Sequence, residues 1–262
     1  MMKLSVVTIS FNEKETIRET IQSVLRQSFD DKEYIIIDGA SKDGTAEIIK
    51  EYQDNISLVI SEPDDGIFYA MNKALDFCKG EYILFLNAGD KLVSDDVLSS
   101  VFKGNPTEEL IYGDVIFKYN NGVKMRRKSP LKLSKKYFYI DSLNHQTTFT
   151  KRELFSRTGN FDTNLKITSD YDFILNAIFK QGASYKYLPI PIAEFNLMGL
   201  SSDRTHFHLH KEERKICIQK YFSEEEIVRF QKAHLYYDIV YKKIRYAYFL
   251  VMSNLSKKYL YG

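Results

Sequence analysis

The first hundred residues of the chain alternate between short β-branched runs and segments with helical periodicity. The runs that predict strands are Leu4–Ile9, Tyr34–Ile37, Leu58–Ser61 and Tyr82–Leu86. Between them, apolar residues recur three or four positions apart, as on the buried face of a helix. Strands that alternate with helices in this way are typical of βαβ units around a parallel sheet. With 262 residues, the chain is expected to form one α/β core rather than two catalytic domains.

Polar residues follow each of these four predicted strands. Ser10 follows the first strand, Asp38 the second, Asp65 the third and Asp90 the fourth. Because parallel strands point the same way, these residues should meet at the carboxyl edge of the sheet, where open α/β sheets bind ligands. We therefore expect the functional site at this edge.

The rhythm changes past residue 105. Ile111–Phe117 and Val123 flank Asn120-Asn121-Gly122, a hairpin-type turn, so antiparallel strands should finish the sheet. Segment Asn164–Gln181 reads as a loop that enters a helix.

Two capping-box patterns mark expected helix starts. Asn12 with Glu15 precedes the first helix. Ser223 with Glu226 precedes a last, long, aromatic and basic helical stretch.

Charge and cysteine content exclude several classes of protein. The formal net charge is +2, so no global basic footprint points to nucleic acid. Cys78 and Cys217 lie far apart and outside any CxxC pair, which argues against a disulfide framework or a zinc knuckle. The first apolar run is too short for a signal peptide, and no stretch reaches the roughly 18 apolar residues of a membrane span. A cytoplasmic, reducing location is expected.

The two common phosphate-binding loops of α/β proteins are missing. No GxGxxG follows the first strand, as a dinucleotide site requires. Gly39 and Gly44 have the glycine spacing of a P-loop, but Thr45 stands where the phosphate-binding lysine belongs. Carboxylates at strand ends remain, and they hold phosphates through a divalent cation, since like charges otherwise repel. Asp90 is the best ligand for Mg²⁺ or Mn²⁺, and Asn87 can add a carbonyl oxygen or bond a ribose.

These residues also have an ordinary interpretation as turn formers. An isolated Asp-Gly, such as that at Asp38 or Asp65, usually only shapes a turn, and Asn87–Asp90 can be a simple strand-ending turn. Their joint occurrence at one sheet edge favours the functional interpretation.

Four ordered motifs carry a specific resemblance. They are KLSVVTISFN (3–12), IDGASKDGT (37–45), DGIFYAMNK (65–73) and LNAGD (86–90). Together they resemble the family 2 glycosyltransferases, which have the GT-A fold, over roughly residues 3–200. The resemblance implies an α/β protein with a GT-A-like, mostly parallel sheet flanked by helices. It also implies an inverting enzyme that moves a sugar from a nucleotide diphosphate donor, commonly UDP-linked, to an acceptor hydroxyl.

Carried over by position, the resemblance assigns roles to the polar strand ends. The residues that would line the nucleotide pocket are Thr8, Ser10 and Asn12. Asp38 would face the base, and Asp65 would lie near the base or ribose. Asp90 would be the metal-binding end of the Asp-x-Asp motif. Asn87 and Gly89 stand where carboxylates are frequent in the family, so a single acidic ligand would hold Mn²⁺ or Mg²⁺ with help from the diphosphate.

The family's catalytic base lies in a Glu-Asp pair that opens a helix in the acceptor half. Ser169-Asp170 is the counterpart here, with Ser169 in place of the glutamate. In an inverting displacement a carboxylate accepts the proton of the attacking hydroxyl, and Asp170 is the candidate. Alternatively, Ser169 caps the helix and Asp170 interacts with its dipole; both interpretations can hold together.

Histidines supply two further candidates. Asn144–Thr147 resembles a polar strand that precedes the acceptor helix in this family, and His145 would either contact a sugar or be a hydrogen-bonded structural residue, which we favour slightly. Some GT-A enzymes complete the metal shell with a histidine on the C-terminal side. Among His206, His208 and His210, we take His206 as that candidate ligand.

These assignments divide the chain into a catalytic domain and an appendage. Residues 1–205 would form the GT-A-like domain, with a nucleotide-sugar half over about 1–105 and an acceptor half over about 106–205. Residues 206–262 would form a C-terminal helical appendage. Its stretch from 232 to 262 carries six basic residues and one acidic residue. This stretch either packs on the domain or on a second subunit, as in a homodimer, or makes peripheral contact with an anionic membrane through 232–259.

The expected role is surface polysaccharide or glycolipid synthesis with a saccharide or lipid-linked acceptor. Two alternatives stay open. A sugar nucleotidyltransferase also uses an α/β nucleotide site and a metal, but it generally has a Gly-rich basic loop where this chain has Ser10-Phe11-Asn12-Glu13. A catalytically inactive module that only binds nucleotide sugars is the other alternative.

Overall fold

A computed structural model describes residues 2–119, 122–196 and 207–233. One nine-stranded sheet forms its centre, with helices on both faces. The strands are β1 (Leu4–Ser10), β2 (Lys32–Asp38), β3 (Leu58–Ser61), β4 (Tyr82–Phe85), β5 (Lys91–Leu92), β6 (Leu110–Lys118), β7 (Lys124–Arg127), β8 (Thr148–Lys151) and β9 (Tyr185–Asn196). The helices are α1 (Ile17–Leu25), α2 (Thr45–Glu51), α3 (Ile67–Leu75), α4 (Val97–Phe102), α5 (Lys135–Ile140), α6 (Arg152–Thr158), α7 (Ser169–Leu175) and α8 (Phe207–Tyr221), and a further helical segment covers 224–233.

The strand order is β3-β2-β1-β4-β8-β6-β9-β5, with β7 paired to β6. Strands β1 to β4 are mutually parallel, which confirms the prediction for the first half of the chain. Strand β8 runs antiparallel to β4 and β6, and β7 runs antiparallel to β6, as the hairpin-type turn predicts. The carboxyl ends of β1, β2, β3 and β4 therefore meet at one edge, which positions the candidate site.

Strand β9 was not predicted, and it pairs in parallel with β6. Its prolines, Pro189 and Pro191, interrupt the apolar pattern that would mark a central strand. The register shifts on both sides of Asp114, next to Gly113. A Cβ on Gly113 would lie 2.7 Å from the backbone oxygen of Ile190 and 2.5 Å from Cδ1 of Ile192, so only glycine fits at this irregularity.

Alternate residues of β1 face opposite sides of the sheet. Val7 and Ile9 join an apolar cluster that includes side chains of α3, α6, α7 and α8. Leu4 and Val6 join a second cluster with side chains of α1 and α4. The β-branched run is buried on both faces, as expected for a strand at the centre of a parallel sheet.

The described part of the predicted appendage is packed into the first of these clusters. Cys217, Phe222 and Phe230 are buried there, so helix α8 and the following segment share the core of the domain. Ser223 and Glu226 form the predicted capping box: the Ser223 amide donates to the Glu226 carboxylate, and the Glu226 amide donates to the Ser223 hydroxyl. Across the described residues, no helix is both long and apolar enough to cross a membrane.

Candidate active site

His145 joins two regions of the predicted site. Its Nδ1 lies 3.0 Å from Oδ2 of Asp170, and its Nε2 lies 3.1 Å from Nδ2 of Asn87. Asp170 is the second residue of α7, whereas Asn87 follows β4, so the imidazole bridges the predicted base and the predicted nucleotide loop. The sequence left the role of His145 open; the structure gives it two polar partners at the centre of the site.

Opposing influences set the pKa of His145. Burial opposes a positive charge on the ring, but the hydrogen bond to Asp170 and the negative charges of Asp170 and Asp90 outweigh burial and raise the pKa of His145 above its ordinary value. The side chains of His145 and Asp170 are 26% and 24% exposed, so the pair is reachable from solvent. A carboxylate that is oriented by a histidine and remains partly open can accept a proton from an incoming hydroxyl group.

Asp90 is a buried carboxylate at the same edge. The residue is only 5% exposed, and its Oδ1 accepts the backbone N–H of Asn196 at 3.1 Å. Burial raises the pKa of Asp90 to about 7, and the charge of His145 together with the Asn196 amide opposes this only in part. A divalent cation would neutralise such a carboxylate, so the residue suits a role as a metal ligand.

Two buried oxygens nearby have no hydrogen-bond partner within the described part of the chain. They are Oδ1 of Asn87 and Oγ of Ser10. Buried polar atoms in proteins are nearly always bonded, so these two oxygens are available for contacts with a ligand. Asn87 and Asp90 together offer the oxygen donors that Mg²⁺ and Mn²⁺ prefer.

The described residues do not form a complete metal cage by themselves. Over residues 2–119, 122–196 and 207–233, no group of three or more His, Cys, Asp or Glu side chains could hold an ion. The residues present therefore fit a cation that takes most of its oxygens from a diphosphate. His206 lies outside the described residues; His208 is exposed on α8, and His210 is half-buried.

Asn12 shapes the loop after β1 and does not cap α1. It has a φ of 54°. Its side-chain Oδ1 accepts the backbone N–H of Lys42, and its backbone N–H donates to the hydroxyl of Ser41. Helix α1 begins at Ile17 without a side-chain cap. The predicted capping box is therefore wrong, because the Asn12 side chain is bonded to the loop after β2. The residue is exposed at the sheet edge, where a nucleotide contact remains a prediction.

Thr8 and Asp38 are fully buried and bonded within the protein. The Thr8 hydroxyl donates to the carbonyl oxygen of Leu86 at 2.8 Å, and its place in the nucleotide pocket remains a prediction. The Asp38 carboxylate accepts the Ser41 amide at 3.0 Å, the Ser41 hydroxyl at 2.5 Å and the Ser61 hydroxyl at 2.7 Å. Asp38 thus ties the loop after β2 to the end of β3, and its contact with a base remains a prediction.

Asp65 lies exposed in the loop between β3 and α3. Two other acidic residues of this loop, Asp64 and Glu62, each pair at 2.6 Å with the ammonium of Lys73 on α3. These ion pairs join the loop to α3. Sequence reasoning singled out Asp65 but missed its neighbour Asp64, whose side chain is the buried one of the two.

The start of α7 shows whether Ser169 caps the helix and where Asp170 lies relative to the helix dipole. Ser169 is fully buried, and its hydroxyl has no partner among the described residues, so it does not cap the helix. Thr168 precedes the helix at the N-cap position. Asp170 lies in the first turn, where a negative charge interacts favourably with the helix dipole, and this is compatible with a role as a base.

Comparison with known proteins gives the family. A sequence profile described as Glycosyl transferase family 2 matches residues 5–166. A PGL/p-HBAD biosynthesis glycosyltransferase of Mycobacterium bovis is 28% identical over 201 residues, which are 74% of this chain and 77% of the relative. TuaG of Bacillus subtilis, named for teichuronic acid biosynthesis, is 40% identical over 95 residues, which are 35% of this chain and 38% of TuaG.

Solved structures share the architecture. S. aureus TarS 1-349 in complex with UDP-GlcNAc has a TM-score of 0.66 and 20% identity, over 89% of this chain and 72% of that one. The mannosyltransferase PcManGT from Pyrobaculum calidifontis, in complex with GDP-Man and Mn²⁺, has a TM-score of 0.60 and 20% identity, over 81% of this chain and 60% of that one. At such identities the likeness establishes the fold. By its profile match and its GT-A architecture, the chain belongs to glycosyl transferase family 2.

Proposed function

We propose that this protein is an inverting glycosyltransferase that moves a sugar from a UDP-linked donor to an acceptor hydroxyl, with Asp170 as general base. The observation that carries the proposal is the chain of contacts from Asp170 through His145 to Asn87. It joins a partly exposed carboxylate to the loop that holds Asp90. A base on one side of the reacting sugar and a leaving-group site on the other are what an inverting displacement requires.

The donor would lie at the carboxyl edge of β1, β2 and β4. The unpartnered oxygens of Ser10 and Asn87 and the exposed side chains of Asn12 and Asp65 support this assignment. Asp38 would act mainly by fixing the loop after β2. Proteins of the same fold have been solved in complex with UDP-GlcNAc and with GDP-Man. The resemblance carried by the four sequence motifs favours a UDP-linked donor here.

Asp90, with the carbonyl oxygen of Asn87, would hold Mn²⁺ or Mg²⁺. Such a cation, when bound, stabilises negative charge on the departing nucleoside diphosphate. The Mn²⁺ in the mannosyltransferase complex supports this proposal. His206, outside the described residues, would be a further ligand.

The chain's own groups would then do the following. Oδ2 of Asp170 accepts the proton of the acceptor hydroxyl as that oxygen forms a bond to the anomeric carbon. The bond from this carbon to the diphosphate breaks, and its electron pair leaves with the nucleotide. His145 donates its Nδ1–H to the carboxylate and keeps it oriented while the proton is transferred.

The acceptor would be a saccharide or a lipid-linked saccharide in surface polysaccharide or glycolipid synthesis, at the cytoplasmic side. The names of the relatives in PGL/p-HBAD and teichuronic acid biosynthesis support this class of product. The nucleotide-sugar half (about 1–105) and the acceptor half (about 106–205) would meet at His145.

A donor screen tests the proposal. Purified protein is incubated with UDP-, GDP- and dTDP-linked sugars in Mn²⁺ and in EDTA, and release of nucleoside diphosphate is measured with and without an extract of candidate acceptors. Acceptor-dependent release of UDP in Mn²⁺ alone is expected. Pyrophosphate exchange with a sugar phosphate and UTP would instead identify a nucleotidyltransferase. Donor binding without turnover of any donor would identify an inactive binding module.

A further inference from the structure

We propose that Glu213, on helix α8, is a positioning residue that holds Asp170 in its catalytic orientation. The inference rests on the proposed function, because it concerns the base of that reaction. It assigns a specific task to the C-terminal part of the chain, which sequence reasoning treated as an appendage.

The Glu213 carboxylate is bound to the segment that leads into α7. Its Oε1 accepts the amide N–H of Lys166 at 2.7 Å. Its Oε2 accepts the amides of Ile167 and Thr168 at 2.9 Å and 3.0 Å, and the Thr168 hydroxyl at 3.2 Å. Three consecutive backbone amides and one hydroxyl thus converge on one side chain, which is only 4% exposed.

These bonds fix the point where the helix begins. Thr168 is the N-cap residue of α7, and it makes no side-chain cap of its own to that helix. The Thr168 hydroxyl donates to Glu213 instead, so α8 holds the residue from which α7 starts. Asp170 stands two residues farther on, and the direction of its carboxylate therefore depends on how the first turn is set.

The next residue of α8, Arg214, makes further contacts with α7 and with the end of α5. The Arg214 guanidinium lies 4.3 Å from the ring centroid of Tyr171, the residue after Asp170. The same guanidinium donates to the carbonyl oxygens of Phe138 and Asp141 at 2.6 Å and 2.7 Å. Helix α8 is therefore also held against the first turn of α7 and the end of α5.

The chemistry of this contact requires a carboxylate. Glutamine has the same shape, but one of its two terminal atoms is a nitrogen donor, which would face an N–H group rather than accept from it. Glu213→Gln should thus keep the packing while it breaks part of the hydrogen-bond set. Glu213→Asp keeps the charge but shortens the reach by one methylene group.

The experiment compares Glu213→Gln and Glu213→Asp with Glu212→Gln, an exposed neighbour on the same helix. We expect kcat to fall roughly ten- to a hundredfold in Glu213→Gln and less in Glu213→Asp, because small displacements of a reacting group cost about that much. The affinity for UDP with Mn²⁺, measured by calorimetry, should stay within about twofold of wild type. Hydrogen exchange at the start of α7 should become faster in Glu213→Gln, and Glu212→Gln should behave as wild type.

A double-variant cycle separates positioning from a general structural effect. If Glu213 acts through Asp170, adding Glu213→Gln to Asp170→Asn should lower kcat no further. An additive loss, an equal loss of UDP affinity and kcat, or wild-type kcat in both Glu213 variants would overturn the inference. If Glu213→Gln does not fold, Glu213→Asp decides by the same measurements. Absence of transfer in the wild-type protein would count against the proposed function, whereas hydrogen exchange would still report whether Glu213 fixes α7.

Discussion

The Nδ1 of His145 lies 3.0 Å from Oδ2 of Asp170, across 25 residues of sequence. Since the Nε2 of the same ring lies 3.1 Å from the Asn87 amide, each ring nitrogen has a different partner. An amide nitrogen facing Nε2 donates to it, which suits a ring that carries its proton on Nδ1. The contact with Asp170 is made from this protonated Nδ1.

Two substitutions distinguish the partners of His145. Asn at 145 can place an amide near the Nδ1 position, and Gln can place one near the Nε2 position. If the contact with Asp170 matters most, His145→Asn should retain more turnover than His145→Gln, whose kcat should fall roughly tenfold or more. Steady-state kinetics at saturating donor provides the measurement. The reverse ranking would locate the main contribution of His145 at the Asn87 loop.

Asp170→Asn should remove the proton acceptor while it keeps the size of the side chain. We expect turnover to fall by roughly 10² or more, with the affinity for donor near that of wild type. Rates and calorimetric binding of UDP are compared in the same preparation. A variant that melts at a clearly lower temperature, or binds the donor poorly, would mean that Asp170 serves mainly to stabilise the start of α7.

The parallel half of the fold could be predicted because its signals are local. Each of β1 to β4 is a short β-branched run, and each is followed by helical periodicity, so strand direction and the polar edge followed from connectivity. Strand β9 could not be predicted because Pro189 and Pro191 interrupt its apolar pattern. It also pairs with β6, which lies far from it in the sequence. The place of β9 in the sheet is therefore determined by contacts that no local window contains.

The sequence predicts candidate residues of the site but not the contacts between them. Asp90 and Asn87 are candidates because they follow a strand, and Asp170 because it opens a helix and matches the family pattern. That Thr8 is buried, and that His145 joins Asn87 to Asp170, depends on side-chain directions that only the folded chain fixes. Glu213 carried no sequence signal, since a glutamate on a polar helix is ordinarily a surface residue.

Asp90→Asn should stabilise the metal-free protein above neutral pH. The pKa of Asp90 is raised to about 7 in the folded state, so the folded protein holds a proton that the unfolded chain releases at lower pH. Stability contributed by this residue therefore falls as pH rises through about 4 to 7. The melting temperature of the variant should match wild type near pH 4 and exceed it at pH 8 by several degrees, on a scale of roughly 2–4 °C per kcal/mol.

The same variant tests the metal site by a thermal shift. Mn²⁺ with UDP should raise the melting temperature of wild type at pH 8, because a ligand that binds only the folded state stabilises it. The shift should be much smaller for Asp90→Asn, and transfer activity should be lost. An equal Mn²⁺-dependent shift in both proteins would show that Asp90 is not a ligand, whatever its effect on stability in EDTA.

Asp38→Asn probes a carboxylate that accepts three hydrogen bonds. The amide would lose at least one of the bonds from Ser41 and Ser61, at a cost of about 1–3 kcal/mol for a buried group. If Asp38 acts by shaping its loop, Ser61→Ala should cause part of the same loss in stability and in UDP affinity. A large loss of UDP affinity in Asp38→Asn with none in Ser61→Ala would instead support direct contact between Asp38 and the nucleotide.

The stretch 232–259 offers the last prediction, and it bears on where the enzyme works. This stretch lies outside the described residues beyond Ala233, and it carries six basic residues and one acidic residue with many aromatics. Aromatic side chains anchor at a membrane interface, and each basic residue adds about 1 kcal/mol near an anionic surface. Full-length protein should therefore sediment with anionic vesicles, less so at high salt, and not with neutral ones.

The control proteins follow from the packing of the C-terminal part. A version that ends at Ala233 keeps Phe222 and Phe230, which are buried in the core, and the ion pair between Lys135 and Glu226. A full-length variant with Lys242, Lys243 and Arg245 changed to Gln removes charge without removing chain. Both should sediment several-fold less than wild type on anionic vesicles if 232–259 makes the contact. Equal, negligible sedimentation of all three proteins would contradict membrane contact, and aggregation of the shortened protein alone would indicate that the stretch packs on the domain or on a second copy.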